Sequence, residues 1–152
     1  MFLLKLVNAL KKSRLRYAIA GGYAVALHGA VRGTVDIDLV IQHKERDFIK
    51  VADTLKKLGL ASRLPISAKE VFQFKEEYKE KRNLLAWSFV NSNNPTELVD
   101  VLLTDDLNTL KTKSIYLEGH PVSIVSKPSL IKMKQRSGRA QDIEDIRALK
   151  KI

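Results

Sequence analysis

Two adjacent glycines between a short apolar run and a helical segment constrain the fold of this chain most strongly. Gly21 and Gly22 follow residues 17–20, which are typical of a β-strand, and precede residues 23–28, which favour a helix. Glycine permits a tight turn and a close approach of the backbone to a ligand, and the first turn of a helix carries unpaired N–H groups. This strand, turn and helix together predict a binding site for an anion such as a phosphate.

Two carboxylates follow within an apolar run. Asp36 and Asp38 lie in residues 35–41, and strand alternation places both on one face, about 6–7 Å apart between Cα atoms, with Val35 and the other odd-numbered residues facing the opposite way. Two ionised carboxylates at this distance repel each other, so the pair predicts a bound cation. Mg²⁺ prefers hard oxygen ligands and takes its remaining ligands from water and substrate phosphates. We therefore predict a magnesium site, with Mn²⁺ as the alternative ion.

A third acid interrupts another apolar strand. Residues 97–103 alternate so that Asp100 lies on the face opposite Val99 and Val101. Each motif alone is compatible with an ordinary turn or a polar strand end. The three acids together favour a metal site, because an unpaired charge inside an apolar strand is costly. We expect the carboxyl groups of Asp36, Asp38 and Asp100 to converge within reach of one metal ion.

These motifs resemble those of nucleotidyltransferases of the polymerase-β type, in which a glycine turn precedes an Asp-x-Asp strand and a third Asp lies on a neighbouring strand. The sequence is more closely similar to the AbiEii-type toxin nucleotidyltransferases, which carry a Gly-Gly-x-Ala motif, an Arg-x-Thr-x-Asp-Ile-Asp-Leu motif, and a later Lys and Arg before an Asp-x-x-Asp. The matching positions are Gly21 to Ala24, Arg32 to Leu39, Asp100, Lys134, Arg139, Asp142 and Asp145.

The resemblance implies an α+β nucleotidyltransferase fold, with a mixed sheet flanked by helices and a helical C-terminal end. It implies two Mg²⁺ ions at Asp36, Asp38 and Asp100, with Asp100 also accepting the proton of the acceptor hydroxyl. The residues expected at the nucleotide are Gly21, Gly22, Tyr23, Arg32, Thr34, Lys134, Arg139 and Asp142.

Two features of this set leave alternatives open. Tyr23 stands where many polymerase-β-type enzymes have a serine that contacts the phosphates, so the backbone amides are expected to serve instead. Asp142 and Asp145 lie three residues apart on a helix, and a buried ion pair with Arg139 or Arg32 is as compatible with that spacing as a catalytic role.

The basic charge is concentrated near the end of the sequence. The net charge is +10, and residues 127–152 hold eight basic and three acidic side chains. A solvated helix face is compatible with this excess, and a surface that attracts polyanions is the functional alternative. The chain has no cysteine, which fits the reducing cytoplasm. It also lacks the run of about 20 apolar residues that a membrane span requires.

We therefore predict one domain over residues 1–152 that transfers a nucleoside monophosphate from an NTP, such as ATP, to an acceptor hydroxyl. The AbiEii-type similarity implies an RNA acceptor, especially a tRNA end, or a protein acceptor, and an antitoxin as a partner. One alternative is transfer to a small molecule such as an aminoglycoside, which the charge of +10 disfavours because a polycation requires an acidic pocket. The other is a non-catalytic module that binds nucleotide or RNA.

The pattern also predicts the remaining elements. The strands are expected at residues 84–90, 97–103, 114–117 and 122–125, with a turn at 91–95, and the helices at residues 1–12, 45–58, 128–136 and 140–150. Residues 68–81 are compatible with either a helix begun by a Ser67 and Glu70 capping box or a strand around residues 71–74. Trp87 and Phe89 are expected in the core.

Overall fold

The computed structural model describes residues 1–152 and contains six α-helices, seven strands and one 3-10 helix. The helices are α1 (Phe2–Lys12), α2 (Gly21–Leu27), α3 (Glu45–Lys57), α4 (Ala68–Arg82), α5 (Lys127–Ser137) and α6 (Ala140–Lys150), with the 3-10 helix at Leu107–Thr109. The strands are β1 (Tyr17–Ala20), β2 (Ile37–Ile41), β3 (Ala61–Ser62), β4 (Ala86–Asn91), β5 (Asn94–Leu102), β6 (Thr112–Leu117) and β7 (His120–Val125). None of the helices combines the length and the apolar character that a membrane crossing needs.

All seven strands form one mixed sheet in the order β3-β4-β5-β2-β1-β7-β6. Strand β2 runs parallel to β5, and β1 runs parallel to β7. The other neighbouring strands are antiparallel. The predicted mixed sheet flanked by helices, with a helical C-terminal end, is therefore confirmed.

The core covers both faces of the central strands β1 and β2, where consecutive residues are buried, but only one face of β4. Trp87 and Phe89 of β4 are buried there, as predicted. The ring of Phe48 on α3 stacks on Trp87, with 5.6 Å between centroids, and also contacts the ring of Phe72 on α4 edge-on. Their alternation partner Ser88 projects from the opposite face of the sheet. One face of β4 therefore packs in the core, and the other face carries the polar side chain of Ser88.

The segment with two predicted alternatives forms the helix α4. Its capping box is present, because Ser67 Oγ accepts a hydrogen bond from the Glu70 N–H at 3.2 Å and Glu70 Oε1 accepts one from the Ser67 N–H at 3.1 Å. Only Val71 of this helix is buried. A helix with such a small buried face lacks a clear apolar period, which explains why the sequence pattern did not separate it from a strand.

The predicted turn at residues 91–95 is shorter in the structure. Asn91 pairs with Asn94 across β4 and β5, so only Ser92 and Asn93 form the turn. The register shifts between Val90, which pairs with Leu98, and Asn91, so residues 95–97 of β5 form an irregular stretch that accommodates Pro95. The short strand β3 and the 3-10 helix were not predicted, since neither is long enough to show a period.

Candidate active site

Asp38 on β2 and Asp100 on β5 occupy paired positions on neighbouring parallel strands. Both side chains therefore project from the same face of the sheet, as alternation predicted. Ser88 on β4 pairs with Asp100 from the other side, and its hydroxyl donates a hydrogen bond to Asp100 Oδ1 at 2.5 Å. Sequence reasoning did not include Ser88. The signal available was a polar residue at an alternate position of an otherwise apolar strand.

Asp36 lies outside the strand in which it was predicted. The pairing of β1 with β2 ends at Ala20 and Asp38, because the chain turns into α2 at Gly21, and the pairing of β2 with β5 begins only at Ile37 and Val99. Asp36 is exposed, and Val35, which was expected on the strand face opposite Asp36, also lies outside the strand and is 56% exposed. The shared strand face thus joins Asp38 with Asp100 and not with Asp36.

No group of three or more Asp, Glu or His side chains lies close enough together to hold a metal ion. Asp36, Asp38 and Asp100 therefore do not converge on one point in this structure, and their assignment as metal ligands stays a prediction. Like charges repel, and two of these acids have other contacts: Asp100 accepts the Ser88 hydrogen bond, and Asp38 leans towards Gly21. The oxygen donors are nonetheless of the chemical type that Mg²⁺ prefers, and they lie within electrostatic range of one another.

The electrostatics around Asp38 favour a cation. Burial, followed by the charges of Asp100 and Asp36, raises the pKa of Asp38 to about 7. The charges of Lys134 and Arg139 act in the opposite direction but do not outweigh these effects. A cation bound beside Asp38 would relieve the repulsion among the three carboxylates. The electrostatics are therefore compatible with a metal site.

Neighbouring side chains leave little space around Gly21 and Gly22. Gly21 has a φ of +62°, and a Cβ atom there would lie 1.9 Å from Asp38 Oδ2. A Cβ atom on Gly22 would lie 3.0 Å from Thr34 Oγ1 and 3.2 Å from Arg32 Cζ. A Cβ atom at Gly21 would therefore overlap Asp38 on a left-handed backbone, whereas a Cβ atom at Gly22 would be crowded by Thr34 and Arg32.

The glycines form the first turn of α2 rather than a separate loop before it. The helix begins at Gly21 and ends at Leu27, whereas the prediction placed it at residues 23–28. Tyr23 lies half-buried with its side chain against the core. The glycine backbone, and not the Tyr23 side chain, therefore lies beside Asp38.

A buried ion cluster connects the last two helices to the segment before Asp36. Lys134 Nζ on α5 lies 2.7 Å from Asp145 Oδ2 and 3.5 Å from Asp142 Oδ1, both on α6. Arg32 Nε donates to the other oxygen of Asp145 at 2.9 Å. The structural alternative for these acids, a buried ion pair with Arg32 or Arg139, is thus observed, and it also includes Lys134.

Arg139 differs from Lys134 in its exposure. Its Nε donates to Asp142 Oδ2 at 3.0 Å while 78% of its side chain remains exposed. The hydrogen bond and charge of Asp142 raise the pKa of Arg139, and the charge of Asp38 adds to this. Arg139 is therefore a permanent cation at the edge of the site with exposed donors.

Comparison with known families and structures gives a consistent result. The model of the aminoglycoside-2''-adenylyltransferase family matches residues 2–146 of the chain. A search of curated protein sequences finds no match.

Three solved structures share the fold. A crystal structure of ANT(2'')-Ia with adenylyl-2''-tobramycin is 16% identical, with a TM-score of 0.64 over 97% of this chain and 84% of that one. Lincomycin-bound LnuA, a lincosamide antibiotic adenylyltransferase, is 13% identical, with a TM-score of 0.64 over 98% and 94% of the two chains. An antigenic nucleotidyltransferase-like protein from Paracoccidioides brasiliensis is 21% identical, with a TM-score of 0.59 over 97% and 74%.

Proposed function

The chain belongs to the aminoglycoside-2''-adenylyltransferase family and is a nucleotidyltransferase, and we propose that it moves a nucleoside monophosphate from an NTP to a hydroxyl of a small molecule. The observation that carries this proposal is the pairing of Asp38 and Asp100 on adjacent parallel strands beside Gly21. This arrangement provides two acids on one face of the sheet and a backbone that a ligand can approach closely.

Asp36, Asp38 and Asp100 would hold the Mg²⁺ ions, one or two of them. When bound, such ions neutralise charge on the triphosphate and lower the pKa of the acceptor hydroxyl. Asp100 is the group that we propose as the base. Burial raises its pKa despite the Ser88 hydrogen bond, which makes it a better proton acceptor than an ordinary surface carboxylate. The Ser88 hydroxyl holds Asp100 Oδ1 and leaves the second oxygen for the proton.

We propose Arg139 as the side chain that contacts the triphosphate directly, since it is exposed and its charge reaches Asp38. Lys134, the other predicted triphosphate ligand, is committed to Asp145 and contributes its charge from inside the protein. Asp142 pairs with Arg139, and Arg32 pairs with Asp145, the partner of Lys134. Both residues therefore help to position these cations. Gly22 and Thr34 lie together beside Arg32, and with the backbone at Tyr23 they would complete the nucleotide site.

The family match favours the small-molecule acceptor, which was the alternative at the level of sequence. The argument for RNA from the basic C-terminal residues is weaker in the structure. Half of those eight basic side chains are paired with acids of the same chain: Lys134, Arg136, Arg139 and Arg147. Their charges are partly neutralised before any polyanion binds.

An RNA or protein acceptor, with an antitoxin partner, stays a second hypothesis. It depends on the AbiEii-type motifs and on the net charge of +10. We further propose that residues 1–152 act as one domain, which a single cluster of 31 buried hydrophobic side chains supports. That this domain works in the cytoplasm is a separate proposal, which rests on the lack of cysteine.

Incubation of the protein with Mg²⁺ and each NTP labelled at the α-phosphate tests the proposal. Cell extract separated into RNA, protein and small-molecule fractions supplies the acceptors. The proposal predicts label in the small-molecule fraction. Label only in RNA or protein would favour the second hypothesis.

A further inference from the structure

A strip of the sheet beside Asp100 is left without a cover. We call it the β4–β5 shelf. Its members face the same side of the sheet and form three cross-strand pairs: Ala86 with Leu102, Ser88 with Asp100, and Val90 with Leu98. The proposed base therefore lies in the middle of the strip, with an apolar pair on either side along the strands.

The burial pattern shows that the shelf is open. All six of its side chains are half-buried, whereas the alternate residues Trp87, Phe89, Val99 and Val101 are buried. Val90 and Leu98 make no packing contact with the buried core cluster, whereas Leu102 at the other end of the shelf packs against it, so the Val90 and Leu98 end is the more open one. A ligand that covers these apolar side chains removes their surface from water, which is energetically favourable.

The charge on the shelf does not suit a polycation. Asp100 is the one acid among its six side chains, and the proposed function assigns that carboxylate to the metal and the proton. Arg63 follows β3, and its charge acts on Asp100. Arg63 succeeds Ser62, which faces the core to accept a hydrogen bond from Trp87 Nε1, so Arg63 projects towards the shelf side. The charge of the exposed Asp36 also acts on Asp100, but the proposed function assigns that carboxylate to the metal as well. A ligand with many amines would therefore meet Arg63 and no acid that is left over from the metal site.

We infer that the acceptor is a hydroxyl-bearing small molecule with an apolar body and at most one positive charge, lying on the β4–β5 shelf. This inference rests on the proposed function and departs from the polycationic acceptors for which the family is named. In the transfer, the acceptor oxygen forms a bond to the α-phosphorus, the bond from that phosphorus to pyrophosphate breaks, and Asp100 takes the hydroxyl proton. The apolar pairs position the acceptor body on each side of Asp100.

The test compares two probes of different charge on the same protein. Lincomycin has an apolar body and one amine, and tobramycin is a polycation. Calorimetric titration in the presence of Mg²⁺ and a non-hydrolysable ATP analogue gives a Kd for each, and label from ATP measures transfer. The inference predicts tighter binding of lincomycin, by about tenfold, from apolar burial without charge repulsion.

Two shelf variants and one control make the result specific. Leu98→Asp is expected to weaken lincomycin binding about tenfold and to strengthen tobramycin binding, because it exchanges apolar surface for an acid. Arg63→Glu is expected to strengthen tobramycin binding and to leave the fold intact, since Arg63 is exposed. Tyr116→Ser, at an exposed position on the edge strand β6, is the matched control and is expected to change neither affinity.

The possible results distinguish a failure of this inference from a failure of the proposed function. Tighter binding of tobramycin together with transfer of label to it would overturn the acceptor class and leave small-molecule transfer intact. Equal affinities in wild type and Leu98→Asp would overturn the location on the shelf. Failure of both probes to bind would overturn the inference, and label appearing only in RNA or protein would in addition overturn the proposed function.

Discussion

The ammonium group of Lys134 lies 2.7 Å from Asp145 Oδ2, with 7% of the lysine and 2% of the aspartate side chain exposed. Arg32 binds the second oxygen of the same carboxylate. The cluster therefore connects α5 and α6 to the segment that leads into Asp36 and Asp38. This role for Lys134 was not expected, since its sequence position suggested direct contact with the triphosphate.

Replacing Lys134 with methionine is expected to destabilise the protein by about 3–5 kcal/mol, because Asp145 and Asp142 would stay buried with less compensation. Lys150→Met, on the exposed face of α6, is the control and should change stability by less than about 0.5 kcal/mol. Urea denaturation of both variants measures the difference. Similar small effects from both substitutions would contradict a structural role for Lys134.

Acid is expected to weaken the same cluster. Burial alone would raise the pKa of Asp145, but hydrogen bonds from Lys134, Arg32 and Gln141 outweigh it and hold that pKa below its ordinary 3.8. The stabilisation is therefore complete above pH 3.8 and is lost as the pH falls through the lowered pKa. Unfolding free energies of wild type and Asp145→Asn, measured against pH, should differ at neutral pH and approach each other in acid. A difference in unfolding free energy that does not change with pH would show that ionised Asp145 is not the source of this stabilisation.

The sequence predicted those parts of the site that depend on local pattern. Alternation placed Asp38 and Asp100 on one face, and the glycine pair lies beside them. It failed for Asp36, because the end of a strand depends on pairing with its neighbours, and the pairs of β2 stop at Asp38 on the β1 side and at Ile37 on the β5 side.

The sequence pattern did not predict contacts between residues that are far apart in the chain. Arg32 and Asp145 are 113 positions apart, so no local period reports their contact. The motif spacing identified these residues, and an ion pair with Arg32 was one of the two interpretations considered, but only the packing of α5 against α6 shows Lys134 between the two acids. The hydroxyl of Ser88 on Asp100 depends likewise on strand register.

Substitution of Gly21 separates backbone strain from contact with the site. Gly21→Ala is expected to abolish transfer and to destabilise the protein by about 2 kcal/mol or more, because its Cβ would overlap Asp38 Oδ2 on a left-handed backbone. Gly119 has a φ of +79° with nothing near a Cβ atom. Gly119→Ala should therefore cost only the strain, about 1 kcal/mol, and retain activity. Equal losses in the two variants would remove the steric argument.

Removal of the charge at Asp38 is expected to stabilise the protein without metal while preventing metal binding. The pKa of Asp38 is raised to about 7, so above that pH the folded protein carries an ionised carboxylate that burial and the acidic neighbours disfavour. At about pH 8, Asp38→Asn should be more stable than wild type in EDTA by about 2 kcal/mol, half the full value of the shift because the site is partly solvated. Mg²⁺ with an ATP analogue should raise the melting temperature of wild type only. A less stable variant in EDTA would indicate that Asp38 is a structural residue.

We propose that nucleotidyl transfer takes place at Asp38 and Asp100. The most direct measurement uses ATP labelled at the α-phosphate in one reaction and at the γ-phosphate in another, with Mg²⁺ and a small-molecule acceptor that the wild type modifies. The account predicts that the acceptor gains only the α label, that pyrophosphate carries the γ label, and that Asp100→Asn loses both while keeping the wild-type melting temperature to within a few degrees. A γ label on the acceptor, or full transfer by Asp100→Asn, would contradict it.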